Sequence, residues 1–88
     1  GDAVLMDYIN KNLVYPAEAK EKGIQGRVVC KFIVERDGSL SDIKVLRSID
    51  PLLDKEAIRL IQSMPKWNPG KQKGEKVRVY FILPITFR

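Results

Sequence analysis

The chain contains no histidine, and that absence removes the commonest general base, the usual metal ligand and the usual partner of a nucleophilic serine or cysteine. It has a single cysteine, Cys30, so no internal disulfide can form. A disulfide-stapled mini-domain is thereby excluded, while either redox compartment stays open. No apolar run approaches the ~18 residues of a membrane-spanning helix. Gly1-Asp2-Ala3 is small and acidic where a signal peptide is basic and apolar, so any targeting or anchoring segment is expected upstream of this 88-residue fragment.

What is present is the composition of an ordinary small globular domain, 44% hydrophobic and 31% charged, with five Pro and six Gly. A single domain of this size buries roughly 60–65% of its unfolded surface, so its core has to be simple and well patterned. Formal net charge is +5, and acids and bases interleave except between Lys66 and Arg78. There Lys66, Lys71, Lys73, Lys76 and Arg78 face only Glu75. Such a tract keeps a small domain soluble, and it also suits nucleic acid, anionic lipid or an acidic protein. Charge alone chooses no partner.

The hydrophobic pattern changes period along the chain. Val4, Leu5, Tyr8 and Ile9 share one face of a helix over residues 3–12. Pro16 pushes Tyr15 toward extended geometry and opens a second, brief helix from Pro16 to Lys22, which Gly23 closes. From Arg27 the period is two: Val28, Cys30, Phe32 and Val34 on one face, Val29, Lys31, Ile33 and Glu35 on the other. Asp37-Gly38 predicts a hairpin turn into a strand from Leu40 to Arg47. Asp50-Pro51 is an N-cap followed by Pro at the first helical position, and Leu53, Ala57, Leu60, Ile61 and Met64 make the apolar stripe of that helix. Asp54 and Glu56 read as acids favoured near its N-terminus. Residues 65–74, with two Pro and two Gly, read as a surface loop turning at Pro69-Gly70. A last strand, Val77 to Phe87, puts Val79, Phe81, Leu83, Ile85 and Phe87 on one face. The predicted class is α+β in the order α-α-β-β-α-β. A three-stranded antiparallel sheet carries helices on one face and buries Val28, Phe32, Val34, Val45, Val79, Phe81 and Leu83. The last strand pairs with the first and lies at the sheet edge.

Chemistry finds little to work with. Cys30, on the apolar face of a strand, reads as a small hydrophobe with a raised pKa. The carboxylates Glu18, Glu21, Asp42, Asp50, Asp54 and Glu56 are scattered, each with a helix-end or surface explanation. No catalytic, metal or cofactor site is expected. Gly23-Ile24-Gln25-Gly26 matches the GXXG of a KH domain, but it joins a helix to a strand where that motif joins two helices. It reads as a cap and turn, and no aromatic platform for bases accompanies it, so nucleic acid is not expected.

Pro84 is the informative residue of the last strand. A central strand rarely tolerates Pro, whereas an edge strand does if the lost N–H would have pointed outward. Residues of the same parity, Arg78, Tyr80, Ile82 and Thr86, then aim their backbone groups at the open edge. On the pattern alone this is either a docking strand for an extended peptide or a protected edge with Pro84 as its guard. Tyr80 and Ile82 lie beside Val29 and Ile33 on the face away from the helices, rimmed by Lys31 and Arg78. That is the composition of a protein-contact surface, or of one covered by an upstream segment or a second copy. Trp67 reads as core beneath the preceding helix. Tyr15 either stacks on a ligand or staples the two first helices.

Several features then coincide with one family. They are Tyr15-Pro16 with Glu18-Ala19, Gly23-Ile24 and Gly26, the alternation from Val28 to Val34, Asp37-Gly38, and Asp50-Pro51. Leu53-Asp54 with Ala57, Trp67 with Pro69-Gly70, Gly74, and Leu83-Pro84-Ile85 with Phe87 complete the set. In this order and spacing, over essentially the whole chain, the sequence resembles the TonB C-terminal domain in the form found in Bacteroidetes-like envelopes. The resemblance implies a periplasmic domain, residues 1–88, at the end of a linker from an inner-membrane anchor. It implies no enzyme activity and no cofactor. Its partners would be the TonB box of outer-membrane transporters, captured by β-strand addition, and, through the absent N-terminal part, the inner-membrane proton-driven motor complex. The pairing strand would be Val77, Arg78, Val79, Tyr80, Phe81, Ile82 and Leu83, with Tyr15 and Pro16 close to the bound box. Edge-to-edge self-pairing would give homodimers of isolated fragments. The other reading that similar domains suggest is an envelope interaction or dimerisation module attached to a sensor or peptidase. Cys30 departs from the family pattern, standing where a Val or another β-former is expected.

Overall fold

The change of period at Gly26 marks where the chain passes from helices into the sheet. A computed structural model describes residues 2–88, and side chains from Val4 onward. The elements are α1 (Asp2–Asn12), α2 (Ala17–Glu21), β1 (Gly26–Val34), β2 (Leu40–Arg47), α3 (Pro51–Gln62), β3 (Gly70–Gln72), β4 (Glu75–Val77) and β5 (Val79–Phe87). The fold is α+β, with a three-stranded antiparallel sheet in the order β2-β1-β5. As the parity of Pro84 predicts, β5 occupies an edge and pairs with β1, which becomes the central strand.

The core forms where the period-two face of the strands meets the helical stripe. Val28, Cys30, Phe32 and Val34 of β1, Leu83, Ile85 and Phe87 of β5, and Leu53, Ala57, Leu60 and Ile61 of α3 are all buried, together with Ile9 and Ala19. Trp67 packs into this layer as expected, edge-on to Phe32 and Phe81 with ring centroids 5.3 and 5.0 Å away. Phe81 and Val45 are half-buried, and Val79 is exposed. The reading that placed Val79 in the core is corrected: its side chain sits over Gly70, at the root of β3.

Local signals explain the boundaries. The Asp50 carboxylate accepts the Leu52 N–H at 2.9 Å, and Pro51 starts α3 without losing a hydrogen bond. Pro16 stands one position earlier than expected, as the N-cap of α2, which spans only Ala17–Glu21. The β1–β2 connection is a five-residue loop, closed by the Glu35 N–H on the Ser39 carbonyl at 2.8 Å. Gly38 there has φ 87°, and a Cβ on it would stand 2.1 Å from the Trp67 carbonyl oxygen. Only glycine fits this crossing.

Two readings of the C-terminal third need correction. The region expected to be a loop over 65–74 contains β3, which pairs with β4 as a separate antiparallel hairpin, and the turn is Lys73-Gly74 instead of Pro69-Gly70. The strand predicted from Val77 is therefore divided, with Val77 in β4, Arg78 between strands and β5 starting at Val79. Three-residue strands without apolar alternation carry no periodic signal, which is why composition alone suggested a loop.

Candidate peptide-docking edge

The sheet has two edges, and they are built differently. On β2, the register to β1 slips twice, between Val29/Cys30 and between Lys31/Ile33, and Asp42 adopts φ 51°. Bulges and a left-handed residue spoil an edge as a template for another strand, and α3 also packs against β2. Along β5 the register to β1 runs unbroken from Gly26↔Phe87 to Val34↔Val79. Only β1 contacts it extensively.

Pro84 sets the direction of the backbone groups. Its register partner is Val29, and a proline gives no N–H to a ladder. A ladder that loses no bond here has Val29–Pro84 as a non-hydrogen-bonded pair and Cys30–Leu83 and Val28–Ile85 as the bonded ones. Alternation then turns the N–H and C=O of Tyr80, Ile82 and Thr86 toward the open side. The Tyr80 and Ile82 side chains are 66% and 59% exposed, large apolar surface beside a regular edge. Lys31 Nζ lies over the Tyr80 ring, 4.7 Å from its centroid, a cation–π contact on the outer face. Ile33, on that face, is nevertheless buried, with Tyr80 and Ser41 as its register partners.

The other candidate residues divide into two groups. Val79, Tyr80, Phe81, Ile82 and Leu83 lie together on β5, while Val77 belongs to the hairpin. Arg78 is a brace between strands: its Nε and Nη2 donate to the Glu35 carboxylate at 2.7 and 3.3 Å, and the Ser41 hydroxyl donates to the same group. The Arg78 guanidinium, then the Ser41 hydroxyl, hold the Glu35 carboxyl below the usual range. Tyr15 and Pro16 sit at the far end of β5. The Tyr15 hydroxyl donates to the Ile24 carbonyl, and its ring is edge-on to Phe87 at 5.6 Å. Tyr15 thus ties the α1–α2 connection to the end of the sheet, where the staple expected of it joined the two helices to each other. From Val79 to Phe87 is about 26 Å at strand rise, so one ligand reaching both groups has to run the length of β5.

Glu56 is not the exposed helix-end acid that its position suggested. It is buried, accepting the Val14 N–H at 2.6 Å and both Nε and Nη2 of Arg59 at 2.6 and 2.8 Å. Arg59 also donates to the Asn12 carbonyl at 3.0 Å. Burial pushes the Glu56 carboxyl up, but the Arg59 guanidinium and the Val14 N–H outweigh it and the net direction is down. This latch holds the segment leading to Tyr15 against α3. Nothing in the one-dimensional pattern separates Glu56 from its neighbours, because its partner Val14 lies 42 residues away. Cys30 is fully buried, and desolvation, with the Asp54 charge adding to it, pushes its thiol up to about 11. A cleft of about 480 Å³ between β2 and the end of α3 is lined by residues including Asp42, Gln62 and Lys66, and one of about 360 Å³ between α1 and Trp67 includes Tyr8 and Lys66.

Taken together, the geometry is that of a small α+β domain with one blunted and one regular sheet edge. The comparisons with known proteins carry this to a family: residues 11–88 match the family described as Gram-negative bacterial TonB protein C-terminal, and the chain belongs to it. It is 41% identical to Protein TonB of Pseudomonas aeruginosa over 54 residues, 61% of this chain and 15% of that protein. Protein TonB from two strains of Helicobacter pylori is 32% and 40% identical over 74 residues, 83% of this chain and 25% of those proteins. The chain thus spans a quarter or less of these relatives. Two solution structures of H. pylori TonB-CTD superpose with TM-scores of 0.71 and 0.73 at 28% and 27% identity, covering 93% and 98% of this chain and 74% and 90% of those chains.

Proposed function

We propose that this domain captures the TonB box of outer-membrane transporters by adding it as a strand along β5, and passes on force derived from the proton-motive force for substrate uptake. The observation that carries this reading is the contrast between the edges: β2 is irregular and packed, whereas β5 keeps nine register pairs with β1 and leaves its other side uncovered. Long regular edges invite aggregation, so one kept open on a stable domain is an edge with a use. Family membership supports an outer-membrane transporter as the partner. The domain works in the periplasm as the end of an inner-membrane-anchored protein whose upstream part meets the motor complex. Its role is mechanical, needing no catalytic group. Val79 to Leu83 form the pairing segment, and Tyr15 and Pro16 meet the end of a ligand long enough to reach Phe87.

The test is an NMR titration with a transporter TonB-box peptide and a scrambled control. Shifts concentrated at residues 77–83, and extending to 14–16 when the TonB-box peptide is long enough to reach Phe87, are the expected result. Equal shifts with the scrambled peptide, or none in a folded monomer, would sink the reading and favour an envelope interaction module with another partner.

A further inference from the structure

We infer that the strand accepted on β5 carries acidic residues at the end lying beside the β3–β4 hairpin, where Lys71 and Lys76 clamp them and so fix partner choice and strand direction. The inference rests on strand addition at β5 and goes beyond it to the chemistry of the ligand.

The open edge continues into the hairpin. Lys73 and Gly74 have φ 53° and 80°, the two left-handed positions of a two-residue turn. Such a turn closes on a bonded pair, here Gln72–Glu75, so Glu75 and Val77 face β3. Leu83, Ile85 and Phe87, and by alternation Val79 and Phe81, face β1. Both sets fall on one alternation, which puts β3 and β1 on the same side of the line formed by β4 and β5. The chain path agrees: Lys66 pairs with Asp37 at 3.8 Å and the Trp67 N–H donates to the Gly38 carbonyl at 2.8 Å, so the segment entering β3 leaves from the β1–β2 loop. The opposite side is open from Lys76 to Ile82.

The charge on that stretch is unanswered. Lys71 and Lys76 are register partners and project from the same face, with Cβ atoms about 5 Å apart. Like charges directly opposed destabilise a ladder. A second opposed pair, Lys31↔Lys44, is relieved on both sides, by the Tyr80 ring and by Asp42 at 3.4 Å. Among the described residues no carboxylate pairs with Lys71, Lys73 or Lys76, and Glu75 stands opposite Gln72 on the other face. A strand continuing past Val79 runs beside Lys76 and brings the missing anion. A bilayer would meet only the lysines with Tyr80 and Ile82, which follow Lys76 on the same alternation, whereas an added strand also takes up the free backbone groups of the edge.

The experiment uses three peptides sharing one TonB-box core, flanked by Ser-Ser-Ser, by Glu-Asp-Glu at the N-terminus, or by Glu-Asp-Glu at the C-terminus. Affinity is measured with the domain and its K71Q/K73Q/K76Q variant at 50 mM and 500 mM NaCl. One acid-flanked peptide is expected to bind about five- to tenfold tighter than the Ser-flanked one at low salt, an advantage lost at high salt and in the variant. The variant should still bind the Ser-flanked peptide. A preference for the N-terminal flank means a parallel strand, for the C-terminal flank an antiparallel one. Equal binding of all three, with shifts still at 79–83, overturns this inference and leaves strand addition standing. Binding to anionic vesicles that depends on the three lysines, without any peptide preference, overturns it in favour of lipid. No shifts at 79–83 with any peptide means that strand addition itself has failed.

Discussion

Single residues here are decided by partners far away in sequence, and Glu56 is the sharpest example. Replacing it with Gln removes the charge that Arg59 and the Val14 N–H were arranged around, and should cost about 1–3 kcal/mol. Its carboxyl is held below its ordinary value when folded, so its contribution is full above the unfolded pKa and is lost as pH falls through the folded one. Urea denaturation at pH 7 and pH 3 should therefore show a larger stability loss on acidification for the parent than for E56Q. An equal loss in both would mean that the latch stabilises nothing. Gly38→Ala meets a φ of 87° and a Trp67 carbonyl oxygen 2.1 Å away, and should destabilise by roughly 2–4 kcal/mol in thermal unfolding. Cys30 should resist thiol reagents at pH 8 until the domain unfolds, since its thiol is buried and raised to about 11. The burial of Cys30 was legible from strand parity alone, whereas the latch was not: a carboxylate near a helix N-terminus has a sufficient local explanation, and only tertiary packing overrides it.

At the scale of elements, the long periodic segments were legible and the short ones were not. The stripe from Leu53 to Ile61 and the alternation from Val28 to Val34 each had to bury a face, and each could do so only against the other. Pro84 carried more information than any apolar residue, because one missing N–H fixed both the edge position of β5 and the parity of its free backbone groups. The β3–β4 hairpin escaped because its two strands bury almost nothing, and a Lys-Gly turn is a weaker signal than Asn-Gly. The edge reading gives a discriminating pair of variants. Tyr80→Pro deletes a backbone N–H aimed at the open side without touching the ladder to β1, so a folded domain with binding to the TonB-box peptide reduced at least tenfold is expected. Tyr80→Ala keeps that N–H and should lose only the ring contact, reducing binding severalfold. If proline and alanine weaken binding equally while far-UV circular dichroism stays unchanged, the side chain and not the backbone is the ligand's partner.

The whole molecule measures 49 × 22 × 16 Å along its principal axes, and β5 alone runs about 26 Å of strand. An open edge of this length meets copies of itself as well as ligands. Two domains paired through β5 about a twofold axis would form one continuous six-stranded sheet, each strand supplying the same row of N–H and C=O groups. Antiparallel pairing would set the lysine hairpin of one copy beside the C-terminal end of β5 in the other, where Thr86 and Arg88 offer it no carboxylate side chain. A self-paired dimer would thus satisfy the backbone but leave the hairpin charge uncompensated, which makes it weaker than a complex with an acid-flanked peptide. Sedimentation of the isolated domain should show monomer at micromolar concentration and growing dimer toward millimolar, strengthened by salt as lysine repulsion is screened. Added peptide should dissolve the dimer in proportion to its own affinity, because both compete for one edge, and Tyr80→Pro should abolish dimer and complex together. A dimer that survives either the peptide or the proline would use a different surface, and β5 would then be free for the proposed peptide even in the paired state.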